Sequence, residues 1–246
     1  MSAADVGYYY RAYQLGADYQ GKLSQIMPRI SFPVFSRSTS LEELRAVRTR
    51  ILRMHSTVVV PLLAAFVAMA PIAVPWVFGP AWEPSVVPAQ IMAVAGASHA
   101  LVSGTGPLMV AIGRPGVLLI WNICELVVFA VLVFLLAPHG LTSVAVGVAA
   151  FGVFVLAVNQ VVLLGPFIGV STREFVAEIV PGSAAGAAVF VTLFGMREAL
   201  GRVDLHPALS LFVLGTVGLI AYVFTLKVFF RDAWRDLVLV VHRVAV

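Results

Sequence analysis

The chain is poor in almost everything from which a soluble enzyme is built. Only 11% of its 246 residues are charged, against about 25% in soluble domains, too few to clothe a water-exposed globule. Its single cysteine, Cys124, excludes an intrachain disulfide and any Cys-x-x-Cys pair. The histidines, His55, His99, His139, His206 and His242, lie far apart and form no His-Glu-x-x-His array. No metal or cofactor is therefore called for. Gly104 and Gly106 in "LVSGTGPLM" lack the Lys–Ser/Thr ending of a phosphate loop and read instead as a packing or kink site. The N-terminus lacks the basic region and apolar run of a cleavable signal. A net charge of +4 would fit nucleic acid in a soluble protein. In so apolar a chain the placement of the basic residues matters more than their sum, and no nucleic-acid partner is expected.

What is present is hydrocarbon. With 61% hydrophobic residues and a mean hydropathy of +0.99, the chain reads as an all-α polytopic membrane protein. Apolar runs fall at about 56–78, 85–112, 117–137, 141–166, 176–196 and 207–230. Each is long enough to cross a bilayer. The breaks between them, "FGPAWEPS", "GRPG", "APHG", "GPFIGVSTRE" and "REALGRVDLHP", carry turn formers. A connector at 37–55 holds Arg37, Arg45, Arg48, Arg50 and Arg53, with Ser40 and Glu43 in capping-box register, which predicts a short helix on the inner membrane surface. If this connector is cytoplasmic and residues 7–37 form a further span, the inner loops hold eleven basic residues and the outer segments three. That predicts about seven transmembrane helices, an outside N-terminus and a cytoplasmic C-terminal tail.

The first of these helices is the polar one. Placed on a regular helix, Gln14, Gln25, Asp18, Arg29 and Lys22 share an arc of about 80°, and the opposite face is apolar. Asp18 precedes Lys22 by four residues, the favourable order for an intrahelical pair. Three readings stand open: a helix lining a hydrated cavity, a helix paired to its neighbours with no transport role, and an interfacial helix. A charge facing lipid at mid-bilayer costs about 2.5–3.5 kcal/mol, which lining a watery interior avoids.

Deeper in the chain, Glu125 is the one carboxylate well inside an apolar run after the opening segment. Asn122 lies one turn before it, and Asn159 and Gln160 sit at comparable depth on the next helix. Glu125 with Asn159 is a candidate proton or cation coupling pair; the structural alternative is a protonated Glu125 bonded to Asn122 or Asn159 as helix glue. His99, among Ser98, Ser103 and Thr105, reads mainly as an interhelical hydrogen-bonding group.

The opening residues also carry a family likeness. Gly7, Tyr9, Arg11, Ala12 and Tyr13, followed by Phe32, Pro33, Ser36 and Arg37, resemble a block pattern of Wzx-type polysaccharide flippases, in the multidrug/oligosaccharidyl-lipid/polysaccharide exporter superfamily. Gly79 and Trp82 resemble an outer loop of that family, and Gly113, Arg114 and Pro115 an inner turn; the likeness covers residues 7–116. The resemblance implies two six-helix lobes and two trailing helices around a central cavity. It further implies movement of undecaprenyl-diphosphate-linked oligosaccharide across a bacterial inner membrane by alternating access. On that template residues 1–166 are most of the C-terminal lobe, residues 167–246 are two trailing helices with a cytoplasmic tail, and the chain is a truncated or split flippase. Its partners would be membrane lipid, the lipid-linked oligosaccharide and, for a split flippase, a separate chain supplying the N-terminal lobe. Arg11, Lys22 and Arg29 would meet the diphosphate, with Asp18, Gln14 and Gln25 beside them. The alternatives are a non-transporting scaffold and, with less support, a membrane-embedded glycan polymerase or ligase.

Overall fold

The computed structural model describes residues 3–18, 26–38, 40–201 and 205–244. Among these, every regular element is helical. The opening segment begins as α1 (Ala3–Tyr13), which runs on into a π-helical turn at Gln14–Asp18; α2 (Ile26–Phe35) follows. Six helical segments among the described residues are long and apolar enough to cross a membrane. They are α3 (Leu41–Phe78); a 3-10 turn leading into α4 (Val86–Val102) and α5 (Thr105–Ala111); α6 (Pro115–Leu136); α7 (Leu141–Asn159), which continues through a π turn to the short α8 (Gly165–Ile168); α9 (Thr172–Leu200); and α10 (Pro207–Phe229). A last helix, α11 (Arg231–Val244), ends the chain's described part. The six apolar runs match these spans one for one. The seventh expected span, over residues 7–37, includes residues 19–25 and so lies partly outside the described residues.

The breaks fall where the turn formers are. Gly79, Gly113, Gly140 and Gly169 all adopt positive φ, the left-handed half of the map that side chains disfavour. The kink expected at "LVSGTGPLM" is there: helix α4 stops at Val102, and α5 starts afresh at Thr105.

The connector is corrected by the structure. Residues 41–55 are not a separate surface helix; they are the first turns of α3, which runs unbroken for 38 residues. At 1.5 Å per residue this is about 57 Å, against roughly 30 Å of hydrocarbon. The N-cap is as expected, with the Ser40 hydroxyl accepting from the Glu43 amide at 3.1 Å. Leu41 to Met54 contains no Pro or Gly, so nothing ends the helix where the polar sequence gives way to apolar sequence. Three prolines sit inside α3. Pro71 has no amide to give the Val67 carbonyl, and Gln90 of α4 fills the vacancy by donating its Nε2–H at 2.7 Å.

Helix α9 lies along α3 over most of its length. Gly182 and Gly186 mark the crossing: a Cβ on Gly182 would strike the Ser56 carbonyl, and one on Gly186 would come within 2.9 Å of the Val60 side chain. At the polar end of this interface Arg48 and Glu178 form a buried ion pair at 2.6 Å, each side chain only 6% exposed. Thr49 donates to the other Glu178 oxygen at 2.6 Å. Phe35, Leu44, Leu52, Leu108, Leu164 and Phe175 pack around this end as an apolar cluster. Helix α6, by contrast, buries no residue and presents most of its surface outward, as a lipid-facing helix does.

Candidate functional site

Four elements meet around a cavity of about 510 Å³. Tyr13 and Asp18 reach it from the opening segment, His99 from α4, Asn122 and Glu125 from α6, and Val148 and Phe151 from α7. Phe129 and Phe151, with ring centroids 5.7 Å apart, form part of its apolar wall. Glu125 lies about 15 Å along its helix from Pro115, close to half the thickness of a bilayer core. Asn122 precedes it by three residues, one turn away on the same face.

The opening segment reaches this cavity because glycine allows it. A Cβ on Gly16 would come 2.6 Å from the Ala89 carbonyl and 2.7 Å from Met92 Cβ. Across the contact, a Cβ on Gly96 would collide with the Gly16 carbonyl. Backbone therefore meets backbone at this crossing, and any side chain would push the opening segment off α4. Gly16 lies in the π turn Gln14–Asp18, and such single-turn insertions recur at functional sites.

The structure places the expected site residues differently from one another. Asp18 lines the cavity with Glu125. Arg11 does not; its guanidinium stacks over the rings of Phe78 and Trp82, at 4.5 and 4.8 Å from their centroids. It also donates to Gln14 Oε1 at 3.3 Å, and Tyr8 meets Trp82 edge-on. Arg11, bonded to Gln14, is thus engaged with the 3-10 turn that resembles the family's outer loop. The π turn also breaks the regular 3.6-residue register on which the 80° stripe was drawn. Lys22 and Gln25 lie outside the described residues, as does the side chain of Arg29 on α2.

Asn159 is buried and accepts from the Thr105 hydroxyl at 3.0 Å; it does not line the cavity with Glu125. Its neighbour Gln160 donates to the Val170 carbonyl at 2.8 Å, across the loop that follows α8. His99, read from sequence mainly as an interhelical hydrogen-bonding group, lines the cavity wall. Its signal was a polar residue at mid-span, as for Glu125. Among the described residues, no group of three His, Cys, Asp or Glu side chains could hold a metal ion.

A family model described as polysaccharide biosynthesis protein matches residues 1–87. The chain is 23% identical to the teichuronic acid biosynthesis protein TuaB of Bacillus subtilis (strain 168), over 92% of this chain and 47% of TuaB. It is 24% identical to the lipopolysaccharide biosynthesis protein WzxC of Escherichia coli (strain K12), over 73% of this chain and 37% of WzxC. It is also 26% identical to a membrane protein in the cps region of Klebsiella pneumoniae, over 69% of this chain and 35% of that protein. The matched region is less than half the length of each of these relatives. No solved structure matches it. The opening third of the chain thus matches a polysaccharide biosynthesis model, and most of its length, helical with six candidate spans among the described residues, is similar to polysaccharide biosynthesis proteins, WzxC among them.

Proposed function

We propose that this chain forms part of a flippase for a lipid-linked oligosaccharide, a transporter rather than an enzyme, in a bacterial inner membrane. In this reading the cavity shared by Asp18, His99, Asn122 and Glu125 is one wall of the transport pathway. A second set of helices, equivalent to the half of the relatives that this chain does not span, supplies the facing wall. The cavity carries the proposal: a mid-span carboxylate costs several kcal/mol against lipid but little against a hydrated space. Glu125 acts as a proton or cation coupling group, and the undecaprenyl diphosphate meets cations of the opening segment, Lys22 and Arg29. Arg11, held by Phe78 and Trp82, anchors that segment at the other end. The basic end of α3 faces the cytoplasm, as a positive-inside arrangement requires.

The test is export of surface polysaccharide in a flippase-deficient strain. The chain is expressed alone and together with the N-terminal half of a relative such as WzxC. Export restored by the pair, and lost with Glu125→Gln, is expected. Undiminished export by Lys22→Ala and Arg29→Ala would remove the diphosphate role. A pair that inserts stably yet never exports would favour a scaffold without transport.

A further inference from the structure

The chain's last helix was expected only as a tail, yet α11 is built for a surface. It begins two residues after α10 ends, beyond the break at Phe230, whose backbone (φ −133°, ψ 61°) is not helical. Its sequence, "RDAWRDLVLVVHRV", separates polar from apolar residues with helical period.

Four sides can be told apart at about 100° per residue. The first faces the protein. Asp236 pairs with Arg50 at 3.5 Å and Arg53 at 3.9 Å on the projecting end of α3, and the adjacent Ala233 is buried. The next side round carries Leu237 and Trp234, with Lys227 of α10 sitting 5.0 Å from the Trp234 ring centroid. Val238, Arg231 and Arg235 follow, on the side directed away from the protein; the Arg235 side chain is 76% exposed. Asp232, 84% exposed, completes the circle about 140° from Leu237 and forms an open, solvent-exposed pair with Arg235 at 3.9 Å.

The charges are therefore sorted. Asp236 is spent on the arginines of α3, whereas Arg231 and Arg235 border the apolar side and look outward. An apolar strip flanked by arginines, fixed at the end of a membrane span, complements the boundary between acyl chains and anionic headgroups. We propose that α11 is an interfacial helix that lies on the membrane surface at the basic end of the protein. Leu237 and Trp234 sit at the acyl boundary, Arg231 and Arg235 bind anionic lipid phosphates, and Asp236 fixes the helix to α3.

The full chain, with Cys124 replaced by Ser, is reconstituted in vesicles of phosphatidylcholine alone or mixed with phosphatidylglycerol. A fluorescent label at Leu237→Cys is expected to be quenched by lipids spin-labelled near the headgroup and shielded from aqueous iodide. The same label at Asp232→Cys is expected to show the reverse. Phosphatidylglycerol should deepen lipid quenching at position 237, and Arg231→Gln with Arg235→Gln should abolish that increment while leaving the quenching in pure phosphatidylcholine. Iodide quenching at 237 equal to that at 232 would overturn the proposal. So would protection from both quenchers, which would mean that the face is covered by protein. An unchanged phosphatidylglycerol increment in the double variant would remove the arginines from the lipid contact.

Discussion

Two regions of this protein bury ionisable groups between helices, and they do so in opposite ways. Between α3 and α9, Arg48, Thr49 and Glu178 are closed upon one another, with both charges all but removed from the surface. Around the cavity, Asp18, His99, Asn122 and Glu125 come from three separate elements and share a space large enough for a ligand or several waters. The first arrangement satisfies its charges with protein and leaves no room for anything else. The second keeps room. The difference teaches how to read a buried charge: its partners and the volume around it, rather than its mere presence, separate a rivet from a site.

The sharpest way to break this contrast is to unpair the rivet. Glu178→Ala leaves a buried guanidinium without its carboxylate and is expected to cost about 3–5 kcal/mol, read as a loss of resistance to thermal or denaturant unfolding in detergent. The paired replacement Arg48→Met with Glu178→Leu should restore most of that loss, since apolar substitutes for a whole buried pair are often neutral or better. Next in size is the crossing beside it. Gly182→Ala has no room for its Cβ against the Ser56 backbone and is expected to cost about 1–3 kcal/mol by the same assay. On the cavity side, Arg11→Leu removes the stacking on Phe78 and Trp82 and should cost about 1 kcal/mol. The smallest stability change belongs to the cavity itself: Glu125→Gln should stay within about 0.5 kcal/mol of the parent.

Much of the fold was legible because a bilayer imposes a simple rule. Long apolar runs separated by glycine and proline are enough to find α3 to α10, since lipid leaves the backbone no alternative to helix. The rule also explains the first failure. A membrane boundary is not a helix boundary, so the arginine-rich residues 41–55 were separated from a span with which they are continuous. The amphipathic α11 was passed over as a tail, although its period was visible in "RDAWRDLVLVVHRV". Of the site, Glu125, Asn122 and Asp18 were marked by their polarity alone. What could not be read was which helices touch. The backbone contact of Gly16 with Gly96 decides that the opening segment abuts the cavity, and the bond from Thr105 withdraws Asn159 from it. Both depend on the register between helices distant in sequence, which hydropathy does not encode. Nor did any residue pattern announce the π turn at Gln14–Asp18.

The central claim is that the cavity charges serve transport and not folding. It is tested most directly by measuring polysaccharide export and unfolding stability on the same Glu125→Gln protein, produced in a flippase-deficient strain with the N-terminal half of a relative such as WzxC. The account predicts parental stability with export abolished. Full export at parental stability, or an export loss that merely tracks a fall in stability, would contradict it.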